Sequence, residues 1–243
     1  MAKIRVVGIG PGDYEEMTMR AVNALKASDV IVGYHVYVDL IRPHFPEKDF
    51  HTTPMRREAE RCQYALDLAR AGREVAVVCS GDAGIYGMAG LIYELRGEDA
   101  LPEVEVIGGL TAACSGAARL GAPLTHDFAV ISLSDLLTEW ATIERRLACA
   151  AQGGFAIALY NPGSLKRKDH LKRACEIILK YAPESRVCGV VRNIGREGEA
   201  CQVMTLGELK DYEADMFTTV FIGNPDTLAI RGRMVTPRGY RHG

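Results

Sequence analysis

This sequence carries almost no excess charge: 29 Lys and Arg stand against 31 Asp and Glu, a formal net charge of -2 over 243 residues. A chain so balanced has no global positive field to draw nucleic acid. Aromatic residues are few, at 7% with a single tryptophan, so the basic surplus and interleaved aromatics of a nucleic-acid-binding module are missing too. No apolar run reaches the roughly 20 residues that a membrane-spanning helix needs. There is no fixed-period repeat and no low-complexity segment. The six histidines show neither H-x-x-x-H nor H-E-x-x-H spacing, so no metal is expected. The seven cysteines (Cys62, Cys79, Cys114, Cys149, Cys175, Cys188 and Cys201) are odd in number and form no C-x-x-C pair. Most lie in apolar segments, as reduced thiols of a cytoplasmic protein do. A strand pattern begins at once in M-A-K-I-R-V-V, which leaves no room for a signal peptide, and a cytoplasmic location is expected.

What is present is an ordinary globular mixture, 48% apolar and 25% charged, long enough for one large domain or two small ones. Short β-rich runs alternate with helical stretches. Strands are expected at 4–9, 30–32, 74–79 and 103–107, and helices at 18–27, 57–71, 88–96 and 112–120. The run 74–79 is apolar throughout, as in a strand buried on both faces. Such βα alternation predicts a mainly parallel sheet with helices on both faces. Gly121-Ala122-Pro123 interrupts it and is read as a linker between domains at 1–120 and 124–243. Beyond it, strands are expected at 128–133, 155–159, 186–192, 202–205 and 218–222, with a helix at 165–179. The strand from Gln202 follows too short a connection for a parallel crossover, so the second sheet should be mixed.

Ligands of open α/β sheets bind beyond the carboxyl ends of strands. Four such ends here are rich in small or polar residues: G-I-G-P-G-D at 8–13, S-G-D-A-G-I-Y-G at 80–87, G-G-L-T-A at 108–112 and Y-N-P-G-S at 160–164. One glycine-rich turn is a weak signal, as readily a tight turn as a ligand loop; four at successive strand ends point to a ligand. The first is not a P-loop, because no Gly-Lys-Ser/Thr follows, and not G-x-G-x-x-G, because position 13 is Asp. It fits the looser G-x-G-x-G of Rossmann-type methyltransferases. That fold wants an acidic residue at the end of its second strand, and here the strand ends V-I-V-G-Y.

The ordered set of these four stretches resembles the tetrapyrrole methylases, the class III methyltransferases, along nearly the whole chain. The stretch 121–138 (G-A-P-L-T-H-D-F-A-V-I-S-L-S-D-L-L-T), A-L-Y-N-P at 158–162 and T-P-R-G-Y at 236–240 are similar to the C17-methyltransferases of cobalamin biosynthesis. One departure is Glu139, where that pattern has proline before Trp140. The resemblance implies two α/β domains with the active site in the cleft between them. It implies S-adenosylmethionine as methyl donor and a small-molecule tetrapyrrole as substrate: precorrin-3B, methylated at C17 with ring contraction, or cobalt-factor III in the anaerobic route. It also implies a homodimer. Carried over residue by residue, it places Pro11, Ser80, Gly81, Asp82, Ile85, Thr111, Ala112, Asn161, Asn193 and Ile194 at the cofactor.

Ring contraction needs a base for the hydroxyl proton on the meso carbon C20. Asp135 or His126 is the candidate, with Ser132, Ser134 and Tyr86 orienting the substrate. Asp135 also fits a helix cap, His126 a carbonyl contact and Tyr86 simple packing. The substrate's carboxylates call for arginines. Arg56, Arg57 and Arg192 are the first candidates, followed by Lys166-Arg167-Lys168, Arg231, Arg233 and Arg238, each of which also fits a solvated face. Tyr34, His35 and Tyr37 fit a mobile flap or core packing. The readings left beside C17 methylation are another class III substrate, such as diphthine or ribosomal RNA, and a non-catalytic carrier.

Overall fold

The first apolar run, K-I-R-V-V-G, forms strand β1 (Lys3–Gly8), with Ile4, Val6 and Val7 fully buried. The computed structural model describes residues 3–164 and 167–240, and the chain gathers into two compact units, Met1–Ala112 and Ala113–Gly243.

In the first unit, helix α1 (Met19–Lys26) follows, capped by Thr18, whose Oγ1 accepts from the Ala21 N–H at 3.0 Å. Then come β2 (Val30–Tyr34), α2 (His35–Ile41), β3 (Asp49–Thr53), α3 (Glu58–Arg70), β4 (Val75–Cys79), α4 (Ala89–Arg96) and β5 (Glu103–Ile107). The sheet order is β3-β2-β4-β1-β5, and every pairing is parallel. Each strand reaches the next through a helical crossover, which is what parallel pairing requires. Alternate residues feed two cores. Ile4, Val6, Val32 and Val77 pack against Cys62 and Leu66 of α3 and Ile92 of α4. Val7, Ile31 and Val78 pack against Val22 and Leu25 of α1 and Val38 of α2. Every residue of β4 is therefore buried, each large one contributing about 1.5–3 kcal/mol.

The second unit contains α5 (Ala112–Leu120), β6 (Gly121–Ala122), β7 (Phe128–Ser132), α6 (Trp140–Gln152), β8 (Ala156–Tyr160), α7 (His170–Ile178), β9 (Val187–Arg192), β10 (Ala200–Thr205), α8 (Leu206–Leu209), β11 (Thr218–Ile222), β12 (Leu228–Ile230) and β13 (Arg233–Val235). Its main sheet runs β10-β9-β11-β8-β7. Only β7 and β8, joined across α6, are parallel; the other pairs are antiparallel. Ile143 and Leu147 of α6 and Leu171 and Ile178 of α7 cover Ile131, Leu159, Val190 and Val220. Across the sheet, Gly116 lets α5 lie against Phe221: a Cβ there would stand 2.8 Å from the ring.

Four expectations change. The segment read as a linker is a strand: Gly121 and Ala122 pair in parallel with Met234 and Val235. The chain divides before it, at Ala112 and Ala113, so the helix expected to close the first domain belongs to the second unit. A short strand can pair with residues far along the chain, and local composition carries no trace of that partner. Tyr34, His35 and Tyr37 form no flap. Tyr34 ends β2, the other two begin α2, and Tyr37 packs on the core. The helix expected from residue 165 begins at His170, and Leu165 and Lys166 lie outside the described residues.

Candidate active site

At the carboxyl ends of β1, β4 and β5, three loops of the first unit lock together through backbone. Gly10 and Gly81 exchange hydrogen bonds: the Gly10 N–H donates to Gly81 O at 3.1 Å, and the Gly81 N–H to Gly10 O at 2.7 Å. The third loop lies so close that a Cβ on Gly109 would stand 2.2 Å from Gly81 O, and one on Gly8 2.7 Å from the same carbonyl. Side chains are excluded there, so the loops present backbone and small groups. Asp82 ties them: its Oδ1 accepts from the N–H groups of Gly84 at 2.8 Å and Ile85 at 3.1 Å, and its Oδ2 from Gly109 at 2.9 Å. Pro11 and Thr111 are buried, Ser80 and Ala112 half-buried, and Ile85 exposed. Tyr86 is exposed and holds a left-handed backbone, φ 54°, a conformation that costs a bulky residue about 1–3 kcal/mol.

Arg56 and Arg57 follow the carboxyl end of β3, the sheet's outermost strand. Both are exposed. The Arg56 backbone is left-handed, φ 67°, and its N–H donates to Glu58 Oε1 at 3.1 Å, while Arg57 Nη1 pairs with Glu60 Oε2 at 2.8 Å.

In the second unit, β7, β8 and β9 run in one direction, so their carboxyl ends share an edge of the sheet. That edge gathers Ser132 to Asp135, Asn161 to Ser164, and Arg192 to Ile194. Ser132 Oγ accepts from Asn161 Nδ2 at 3.0 Å and from the Ser134 N–H at 3.2 Å. Arg167 Nη1 donates to Ser134 Oγ at 2.7 Å and lies 3.9 Å from Asp135 Oδ1. His170 Nε2 lies 3.1 Å from Asp135 Oδ2. The His170 ring, opposed by partial desolvation and aided by Arg167, holds the Asp135 carboxyl below the ordinary carboxylate range. Asp135 is thus an ionised carboxylate held from two sides. Asn161 and Asn193 both adopt left-handed backbones, φ 54° and 53°, which asparagine tolerates well.

The structure revises several assignments. His126 does not join Asp135. It precedes β7 and lines a small depression of about 200 Å³ with Asp127, Gly153, Phe155 and Asp226, at the opposite edge of the sheet. The five residues of β7 separate the two by roughly 17 Å. Asp135 does not cap a helix either, since the N-cap of α6 is Glu139. Three of the roughly four acceptor positions of Asp82 are taken by loop amides, so it shapes the loops more than it faces a ligand. The Ile194 side chain is core, 5% exposed and against α5, which leaves its backbone for any contact. Arg192 is partnered: its Nε donates to Asp215 Oδ2 at 2.7 Å. Burial would raise the Asp215 carboxyl, and the Thr218 hydroxyl, the Phe217 N–H and Arg192 together outweigh it and pull it down. Arg233 and Arg238 donate to the carbonyls of Arg119 and Thr125. His170 was not singled out in the sequence, and Tyr160 stood there only as part of Y-N-P-G-S, without its contact: its OH accepts from the Ala113 N–H at 2.7 Å. Each acts on a distant partner and follows no spacing rule. Among the described residues, no group of three His, Cys, Asp or Glu could hold a metal ion, and no helix is long and apolar enough to cross a membrane.

These features agree with what comparison finds. The model of the Tetrapyrrole (Corrin/Porphyrin) Methylases matches residues 3–210. A Salmonella typhimurium protein named probable cobalt-factor III C(17)-methyltransferase is 46% identical over 238 residues, 98% of this chain and 99% of its own. A Sinorhizobium precorrin-3B C(17)-methyltransferase is 40% identical, with 97% of this chain and 96% of that one covered. The chain spans about half the length of two further curated relatives, 53% and 45%. The crystal structure of the methyltransferase CobJ matches with a TM-score of 0.90 and 37% identity, over 98% of this chain and 100% of that one. The chain therefore belongs to the tetrapyrrole (corrin/porphyrin) methylases.

Proposed function

We propose that this methyltransferase moves a methyl group from S-adenosylmethionine to C17 of precorrin-3B, with ring contraction, in cobalamin biosynthesis. The observation that carries the reading is the interlocked cradle at the carboxyl ends of β1, β4 and β5, in a chain of the methylase family. The residues present fit the cofactor. Pro11, Ser80, Gly81, Ile85, Thr111 and Ala112 offer small groups and backbone, and Asn161, Asn193 and the Ile194 backbone offer amides. When bound, S-adenosylmethionine supplies a methyl carbon already activated by its sulfonium. The chain's own work is then alignment, which provides most of the rate of such a transfer.

Ring contraction asks more of the side chains. Asp135, ionised at neutral pH, accepts the C20 hydroxyl proton, while Ser132, Ser134 and Tyr86 orient the macrocycle. Arg56, Arg57 and Arg192 meet its carboxylates; Arg57 and Arg192 exchange Glu60 and Asp215 for them, which keeps these cations paired in the free protein.

A second reading, cobalt-factor III as substrate, is favoured by the 46% identity to a protein of that name against 40% for the precorrin-3B enzyme. The test is a mass spectrum and an absorbance scan after incubation with S-adenosylmethionine and each tetrapyrrole separately, without air. A gain of one methyl with a shifted spectrum on either supports C17 chemistry and selects the substrate. No gain on either, with the cofactor bound, turns the assignment to another class III substrate or a carrier.

A further inference from the structure

His170 is 6% exposed, in the first turn of α7. Its Nε2 lies 3.1 Å from Asp135 Oδ2 and makes no hydrogen bond in line with the ring N–H; its Nδ1 faces Asp169 Oδ1 at 3.3 Å. The ring meets Trp140 edge-on, centroids 4.9 Å apart, and the Arg173 guanidinium lies 4.0 Å from the Trp140 ring centre. The segment after β7 is therefore tied to α7 at two points, Asp135 and Trp140. Between them Leu136 and Leu137 are 60% and 100% exposed. Arg167 is the other cation facing Asp135. A buried imidazole carries a desolvation cost that an apolar side chain of similar size would not. If α7 needed only packing here, an apolar residue would serve better.

We propose that His170 is a positioning residue of the reaction: its Nε2 holds the Asp135 carboxylate, and with it the segment from Ser132 to Trp140, in the orientation that meets the substrate. The inference rests on the reading of Asp135 given above. The hold is a close polar contact of 3.1 Å that lies off the ring N–H line, and it acts through the imidazole's electrostatics beside the carboxylate.

The test uses the full chain labelled with ¹³C at aspartate Cγ, with the Asp135 signal identified by its loss in Asp135→Asn. In His170→Ala the Asp135 titration midpoint should rise toward the ordinary carboxylate value. His170→Gln, which keeps an N–H near the Nε2 position, should lower it again, while His170→Asn, which places its amide nearer Asp169, should not. Turnover should follow the same order. His170→Ala should lose roughly 10²-fold in kcat, the scale of a displaced reacting group, with the KM for S-adenosylmethionine unchanged. Equal loss of turnover and of melting temperature in all three variants, with the Asp135 midpoint unmoved, would overturn the inference and leave His170 a packing residue. Undiminished ring contraction by Asp135→Asn would overturn the reading of Asp135 instead; the titration arm reports on His170 separately.

Discussion

Asp82 and Gly109 show how much of the cradle is the work of single atoms. The carboxylate of Asp82 takes three amides from two loops. Asp82→Ala should leave them unpaired, cost about 1–3 kcal/mol in a urea titration and weaken S-adenosylmethionine binding in calorimetry. Gly109→Ala pushes a methyl to 2.2 Å from Gly81 O, an overpacking of about 1–3 kcal/mol or more. Gly90→Ala, in α4 with nothing within 4 Å of the added carbon, should instead stabilise by about 0.5–1 kcal/mol. The pair separates a glycine kept for closeness from one that is not. The glycines and Asp82 were legible in the sequence as tight small-residue turns at strand ends, yet the carboxylate's partners were not, because Gly109 is brought to it only by the parallel placement of β1 between β4 and β5. Asp135 makes a matching prediction with pH. Its folded titration lies below the unfolded one, so its pairing adds stability at neutral pH, and the addition is lost as pH falls from the ordinary carboxylate value through the depressed one. Asp135→Asn should lower the melting temperature at pH 7 and converge on the unsubstituted protein once the pH has fallen below the depressed value.

At the scale of elements, β7 has two ends with different fates. Ser132, Ser134 and Asp135 emerge at its carboxyl end beside Asn161 and Arg167; His126 enters at the other. His126→Ala should leave ring contraction unchanged, and Asp135→Asn should lower it by about 10²–10⁴-fold, the usual share of a positioned base, read as the rate of the product's absorbance change. His126 and Asp135 flank the strand expected at 128–133, and that strand sets them at its opposite ends. The long amphipathic and apolar elements were legible: α3 and β4 lie within a residue of expectation, and β5, α5 and β11 coincide with it. Elements with a weaker pattern were not. H-V-Y-V-D-L-I, rich in β-branched and aromatic residues, gives no clean helical stripe, and α2 forms because Val38 and Ile41 find the core. D-F-H-T-T is an edge strand with one buried residue, too weak a pattern to read.

For the whole molecule, two units with separate cores were foreseen, as were the parallel and mixed sheets. The division at Ala112 was not, since α5 follows β5 without a break in composition. A ligand held by the native state must raise its stability. S-adenosylhomocysteine at a hundred times its Kd should add about 2.7 kcal/mol, several degrees in a melting scan for a chain of this length; Asp82→Ala should lose most of that gain.

The parallel ladder between Gly121–Ala122 and Met234–Val235 bears on how the chain is born. Thr236 continues the clasp, its N–H on Ala122 O and its hydroxyl on Pro123 O. Among the described residues, the first unit's sheet uses no strand after Ile107. On a ribosome, it can assemble while the rest is still being translated, and it must stay folded through the several seconds that synthesis of the remainder takes. The second unit faces the opposite schedule: β6 emerges early and waits, unmated, for a partner 113 residues further along the chain, from Gly121 to Met234.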